Sequence, residues 1–217
     1  MKTPTSKFII AFALLIPLCA SLYLGWRVLE KSGQDEVIED YYKRLFDSSQ
    51  KEDASCPPAT TCENDQLDAG YQTLVSDLEG EVAAKEVTIE KFKEMLSINV
   101  VDEILFDTGR AIITPRGKIV LAKVGGVIGK MTDKHIYIVG HTDDVPIQTF
   151  RYPSNWELSC ARAAAVIRYL LDTDNLDPAM FSAVGRSSYQ PVSENDTPEG
   201  RARNRRVEIV IANFSKF

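Results

Sequence analysis

Asp143 stands in the run GHTDDVPI, and Arg162 follows in SNWELSCARA, four residues after Leu158. A carboxylate accepts hydrogen bonds from an ammonium, and a guanidinium offers a planar fork that fits a carboxylate. Set apart across a shallow cleft, the two would recognise a zwitterion; set together, they would form a plain salt bridge. His141 and Asp144 admit a second chemistry, a hydrolase using His141, Asp143 and Asp144 as metal ligands or as acid and base. One histidine beside adjacent carboxylates is thin for zinc, and no Ser or Cys nucleophile is paired with a base. The cluster Arg201, Arg203, Arg205 and Arg206 has the charge for a nucleic-acid contact, but the chain as a whole does not. Its 25 Lys and Arg against 31 Asp and Glu give a net charge of -6, and phosphate binding needs cations in excess. A structural role at the end of the last strand, with a groove contact, suits the cluster better. Two histidines exclude a multi-His metal centre and four cysteines are too few for a disulfide scaffold; no cofactor or catalysis is expected.

The elements that must position these residues lie in the C-terminal half. Ile98, Val100, Ile104 and Phe106 in SINVVDEILF read as a strand, followed by a turn at Thr108-Gly109. Thr114-Pro115 caps and opens a helix with an apolar face through Ile119, Val120, Val124, Val127, Ile128 and Met131. HIYIVGHT is a second strand, and Ser154 with Glu157 three residues on forms a capping box for a second helix, running to about Leu171. FSAVG is a third strand, TPEGRARN a short helix, and RRVEIVIAN a fourth strand. Alternating strands and helices predict an α/β sandwich, a mixed sheet of βαβαβ type with helices packed on it. In the second helix Trp156, Cys160, Ala163, Ala164, Ile167, Leu170 and Leu171 share one stripe, expected to be the core face, with Cys160 inert there. Leu158 and Arg162 lie together on the opposite side, as a ligand wall or as a solvated Arg beside a Leu under a loop.

The composition, 217 residues with 44% hydrophobic and 26% charged, is ordinary globular usage, but it averages unlike pieces. Residues 8–26, FIIAFALLIPLCASLYLGW, carry no charge, and about 19 helical residues at ~1.5 Å each span a bilayer's hydrocarbon core. The block is longer than a signal-peptide core and ends in bulky residues, which favours an uncleaved anchor over a cleaved signal. Leu18 before Cys19 argues against lipidation. Lys2 and Lys7 precede the block and acidic residues follow it, so residues 1–7 are expected to be cytoplasmic and the remainder periplasmic. Residues 27–66 read as a linker, broken by Pro57 and Pro58, in which Cys56 and Cys62 bracket five residues. They form a small disulfide loop, or remain free thiols, or bridge two chains. Leu67, Tyr71, Leu74 and Leu78 begin an amphipathic pattern over residues 67–97. It predicts either a coiled-coil-like helical spacer of roughly 45 Å or a helix packing on its own domain.

The run GHTDDVPI, then SNWELSCARA, then NDTPEGRARNRRVEIVI, resembles the OmpA-like peptidoglycan-binding domain shared by OmpA, the Pal lipoprotein and the flagellar stator protein MotB. The resemblance covers residues 98–217, and SNWELS with the long loop after GHTD looks most like the MotB branch. It implies non-covalent binding of meso-diaminopimelate in the peptidoglycan stem peptide. Asp143 matches the Asp of the family's GHTD motif and Arg162 the Arg of its LSxxRA motif. Thr142, Phe106, Asp107, Thr108, Leu158, Asn204 and Arg205 match further groove positions. The free end of diaminopimelate carries an ammonium and a carboxylate; lysine-type stem peptides lack that carboxylate and would leave Arg162 unpaired. The expectation is therefore an inner-membrane tether to the cell wall, whose partners are the stem peptide, the lipid bilayer and either its own copies or a membrane complex. A MotB-like stator subunit is the alternative, weakened because residues 8–26 hold no ionisable group of the kind a conducting helix needs.

Overall fold

The computed structural model describes residues 60–92, 95–174 and 176–213. The expected anchor at 8–26, the tail at 1–7 and Cys56 lie outside these residues, whereas Cys62 falls in the first described helix, so the linker expected over 27–66 gives way to helix at Thr60. Among the described residues no helix is long and apolar enough to cross a membrane.

Helix α1 (Thr60–Asp77) and the short α2 (Glu79–Ala83) lead into strand β1 (Val87–Phe92), which pairs antiparallel with β2 (Met95–Val101). A single turn, α3 (Asp102–Leu105), precedes α4 (Pro115–Ile128); β3 (Lys134–His141) and α5 (Asn155–Asp174) follow. A 3-10 turn (Pro178–Met180), β4 (Phe181–Gly185), α6 (Pro198–Asn204) and β5 (Arg206–Asn213) complete the chain. The five strands form one mixed sheet in the order β1-β2-β5-β3-β4. Only β3 and β4 run parallel, and α5 is the crossover helix that a parallel connection requires.

Alternation along the central strands sends Ile98, Val100, Ile136, Ile138, Val207, Ile209 and Ile211 into the core. There they meet Val120, Leu121, Val124 and Ile128 of α4 and Ala163, Val166 and Leu170 of α5. Thr114 caps α4 by accepting from the Gly117 N–H at 2.9 Å, and Pro115 takes the first helical position. Ile119, placed on the apolar face by its spacing, is 59% exposed and marks that face's solvent edge.

Three sequence expectations change. The pattern over 67–97 is not one helix: α1 ends at Asp77, and 87–92 with 95–101 form a hairpin. Leu67, Leu74 and Leu78 are fully buried in the domain core, so their spacing marks packing on the domain's own sheet, and the domain begins well before residue 98. The strand expected over 98–106 stops at Val101; Ile104 belongs to α3, and Phe106 makes an isolated bridge to Ile113. The core face of α5 is also rotated from the expected stripe. Leu158, Ser159, Arg162, Ala163, Val166 and Leu170 are buried, whereas Trp156 and Cys160 are exposed. The sheet explains the rotation. Gly140 and Gly185 are register partners, and a Cβ at Gly140 would lie 2.2 Å from the Ser159 carbonyl oxygen. At Gly185 it would lie 2.3 Å from Cys160 Sγ. The two glycines form a notch that only the small-residue side of the helix can enter.

Candidate functional site

The rotation of α5 carries Leu158 and Arg162 inward, beneath the loops that leave β3 and α3. They line a cleft of about 450 Å³, together with Thr142, Asp143, Phe106, Thr108 and Arg205. Of the positions matched from sequence, Asp107 and Asn204 do not line it. Asp107 is exposed, with Arg110 4.0 Å away. Asn204 is fully buried and staples the loop after β4: its Oδ1 accepts from the N–H groups of Val192 and Ser193, and its Nδ2 donates to the Ser193 carbonyl.

Asp143 sits two residues past the end of β3, fixed by local bonds. Its Oδ1 accepts from the Val145 N–H at 3.2 Å, and its carbonyl accepts from Thr142 Oγ1 at 2.9 Å and Asn155 Nδ2 at 3.3 Å. Asn155 also donates to the Val145 carbonyl and opens α5. At the helix start the Ser154 hydroxyl donates to Glu157 Oε2 and accepts from the Trp156 N–H. The cap foreseen from sequence thus fixes the start of α5, and Asn155 beside it ties that start to the loop bearing Asp143.

Asp143 and Arg162 do not pair with each other. Arg162, 3% exposed, places Nη2 2.7 Å from Asp102 Oδ2 and donates from Nε to the Arg110 carbonyl at 3.0 Å. Its guanidinium carbon stands 5.3 Å from the centre of the Phe106 ring. Asp143 Oδ2 accepts from Arg205 Nη1 at 2.8 Å, and Arg205 Nη2 reaches Glu103 Oε1 at 2.6 Å. The cleft thus carries two separate arrangements, Asp102–Arg162 at its floor and Glu103–Arg205–Asp143 at its rim. With Arg201 in the lining, three carboxylates face three guanidiniums.

Burial governs the floor. It pushes the Asp102 carboxyl up to about 7, against the pull of Arg162 and Arg205. It also draws Arg162 below the ordinary guanidinium value, against the pull of Asp102. At the rim, partial burial opposes the Arg205 charge, but its hydrogen bonds to Asp143 and Glu103 prevail and raise its pKa.

Sequence reading missed Asp102, Glu103 and Asn155 in the cleft, and of the arginine cluster given a groove contact Arg201 and Arg205 line it. A signal for the first two was present, because adjacent acids inside the apolar run INVVDEILF break the alternation of a strand. His141 does not line the cleft. It is 1% exposed, with Nε2 3.4 Å from Glu208 Oε2. Burial, then the Arg206 and Arg186 charges, push it down to about 2, and burial pushes Glu208 up to about 7. Among the described residues no group of His, Cys, Asp and Glu has the arrangement of a metal site.

With this geometry in hand, residues 105–205 match the model of the OmpA family. The chain is 30% identical over 220 aligned positions to the "Uncharacterized protein YtxE" of Bacillus subtilis, covering 95% of this chain and 88% of that one. It is 39% identical over 118 positions to Motility protein B of Bacillus subtilis, covering 54% of this chain. There it spans a little under half of the relative's length, 45%. Among solved structures, the cell wall anchor of the T6SS from Pseudomonas aeruginosa superposes with a TM-score of 0.60 at 35% identity, over 65% of this chain and 97% of that one.

Proposed function

The chain belongs to the OmpA family, and from that premise we propose that it is a non-catalytic peptidoglycan-binding protein that holds the meso-diaminopimelate of the stem peptide in the cleft. The observation that carries this reading is the separation of charge. Arg162 is buried with one edge on Asp102, and Asp143 stands at the rim on Arg205. Two of Arg162's donors are engaged, and the others remain to fork onto a ligand carboxylate. Since cleft carboxylates and guanidiniums are equal in number, a ligand end bearing one ammonium and one carboxylate leaves the balance unchanged. A ligand of one sign alone would leave a charge uncompensated. The fold is shared with the cell wall anchor of the T6SS from Pseudomonas aeruginosa, which supports the reading.

The full chain should co-sediment with sacculi of the diaminopimelate type, and the double variant Asp143→Ala, Arg162→Ala should not. No sedimentation of wild type, or undiminished binding by the double variant, contradicts the site. Removing two charged partners of about 1.5–3 kcal/mol each is enough to make the loss complete in such an assay.

We infer further that residues 8–26 anchor the protein in the inner membrane with the cleft in the periplasm, so that it tethers the membrane or a membrane complex to the wall. The uncharged run and the flanking charges support this. A reporter enzyme active only in the periplasm, fused after Phe217, should be active; an inactive fusion in full-length protein overturns the orientation. The likeness to Motility protein B favours a second reading, a stator subunit. The lack of any Asp, Glu, Lys, Arg or His in 8–26 stands against it, and restored swimming in cells lacking their own stator would establish it.

A further inference from the structure

Asp102 carries the one incompletely bonded carboxylate at the floor of the cleft. Its Oδ2 holds Arg162, while Oδ1 is buried and accepts no hydrogen bond. The residue is 3% exposed and lines the cleft. A carboxylate oxygen removed from water without a donor is costly and draws in any donor that reaches it. Asp143 is engaged on both oxygens, by the Val145 N–H and by Arg205, and Glu103 holds Arg205 on Oε1 at the exposed rim. On the floor, beside Arg162, the unused acceptor is therefore Asp102 Oδ1.

Resting on the binding function above, we propose that Asp102 receives the side-chain ammonium of the ligand, making Asp102 and Arg162 together the floor on which the zwitterionic end lies. An ammonium has three donors, so it bonds Asp102 Oδ1 and still has donors for Asp143, whose charge is felt at Asp102. Arg205 is the side chain that must swing aside. It is the half-exposed cation of the rim, held by Glu103 and Asp143, and the incoming ammonium replaces its charge among the same carboxylates. The assignment makes Asp102 a determinant of specificity for the amine, and leaves specificity for the carboxylate with Arg162.

The test titrates the purified full chain with a muramoyl tripeptide ending in meso-diaminopimelate and with the same peptide ending in 2-aminopimelate, which keeps the side-chain carboxylate and lacks the amine. Wild type should prefer the amine-bearing peptide by about 10- to 100-fold, the range of a charge-assisted bond. In Asp102→Asn that preference should fall to within about twofold; Asp102→Ser serves if Asn prevents folding. Binding of both peptides by wild type with no preference overturns the assignment. So does a wild-type preference retained in the variant, because Asp102 would then only support Arg162. Failure of wild type to bind either peptide overturns the diaminopimelate reading and this inference with it, an outcome distinct from the other two.

Discussion

Arg162→Ala should remove binding to diaminopimelate-type peptidoglycan and cost about 3–5 kcal/mol of stability at pH 8, the range for stranding one member of a buried ion pair. The partner left behind is Asp102, whose side chain is 4% exposed. The loss should depend on pH with a definite sign. The Asp102 carboxyl is raised from its ordinary 3.8 to about 7 by burial, and Arg162 is the largest charge opposing that rise. A raised folded-state value means the folded protein keeps a proton that the unfolded chain releases, so stability from this group is present at low pH and lost as pH climbs through about 7. Without Arg162 the folded value rises further. The variant should therefore lie far below wild type at pH 8 and close to it at pH 5, where Asp102 is protonated in both. Urea unfolding of both proteins at the two pH values measures this. A deficit independent of pH would show that lost packing, not the stranded carboxylate, is responsible.

A fragment beginning at Ile98, the boundary drawn from sequence, should not fold. It discards α1, α2 and β1 and cuts β2 after its third residue. Leu67, Leu74, Leu78 and Val87, each no more than 1% exposed, would leave their pockets. At about 1.5–3 kcal/mol for each buried side chain, that forfeits most of the 5–15 kcal/mol that holds a domain together. Circular dichroism should show no cooperative thermal transition for the fragment, while a fragment beginning at Ala54, where the compact unit starts, should melt cooperatively. A cooperative transition in the shorter fragment would mean that the N-terminal helix and hairpin edge are accessory.

What the sequence disclosed and what it concealed follow from locality. Thr114-Pro115 and Ser154–Glu157 act on the backbone within one turn, and both helix starts were legible from them. The alternation of Val207, Ile209 and Ile211 was legible because β5 has one apolar face. Residues 87–92 were not. VTIEKF carries helix-favouring Glu and Lys and continues the apolar spacing of α1, and only pairing with β2 makes it a strand. The face of α5 was misread because the glycine notch that receives Ser159 and Cys160 lies on strands distant in sequence. In the cleft, motif positions disclosed Asp143, Arg162 and the walls beside them. The partners Asp102 and Glu103 were hidden within an apolar run, and the division of five charges into a floor pair and a rim triad is a property of side-chain placement that spacing does not encode.

Competitive release from the wall bears most directly on what the cleft recognises. Full-length protein bound to diaminopimelate-type sacculi should be released by a soluble muramoyl tripeptide ending in meso-diaminopimelate. The lysine counterpart, which leaves Arg162 without its carboxylate, should be weaker by at least about tenfold. Equal release by the two peptides, or none by either, would contradict a cleft built to hold a zwitterion between Arg162 and the carboxylates of Asp102 and Asp143.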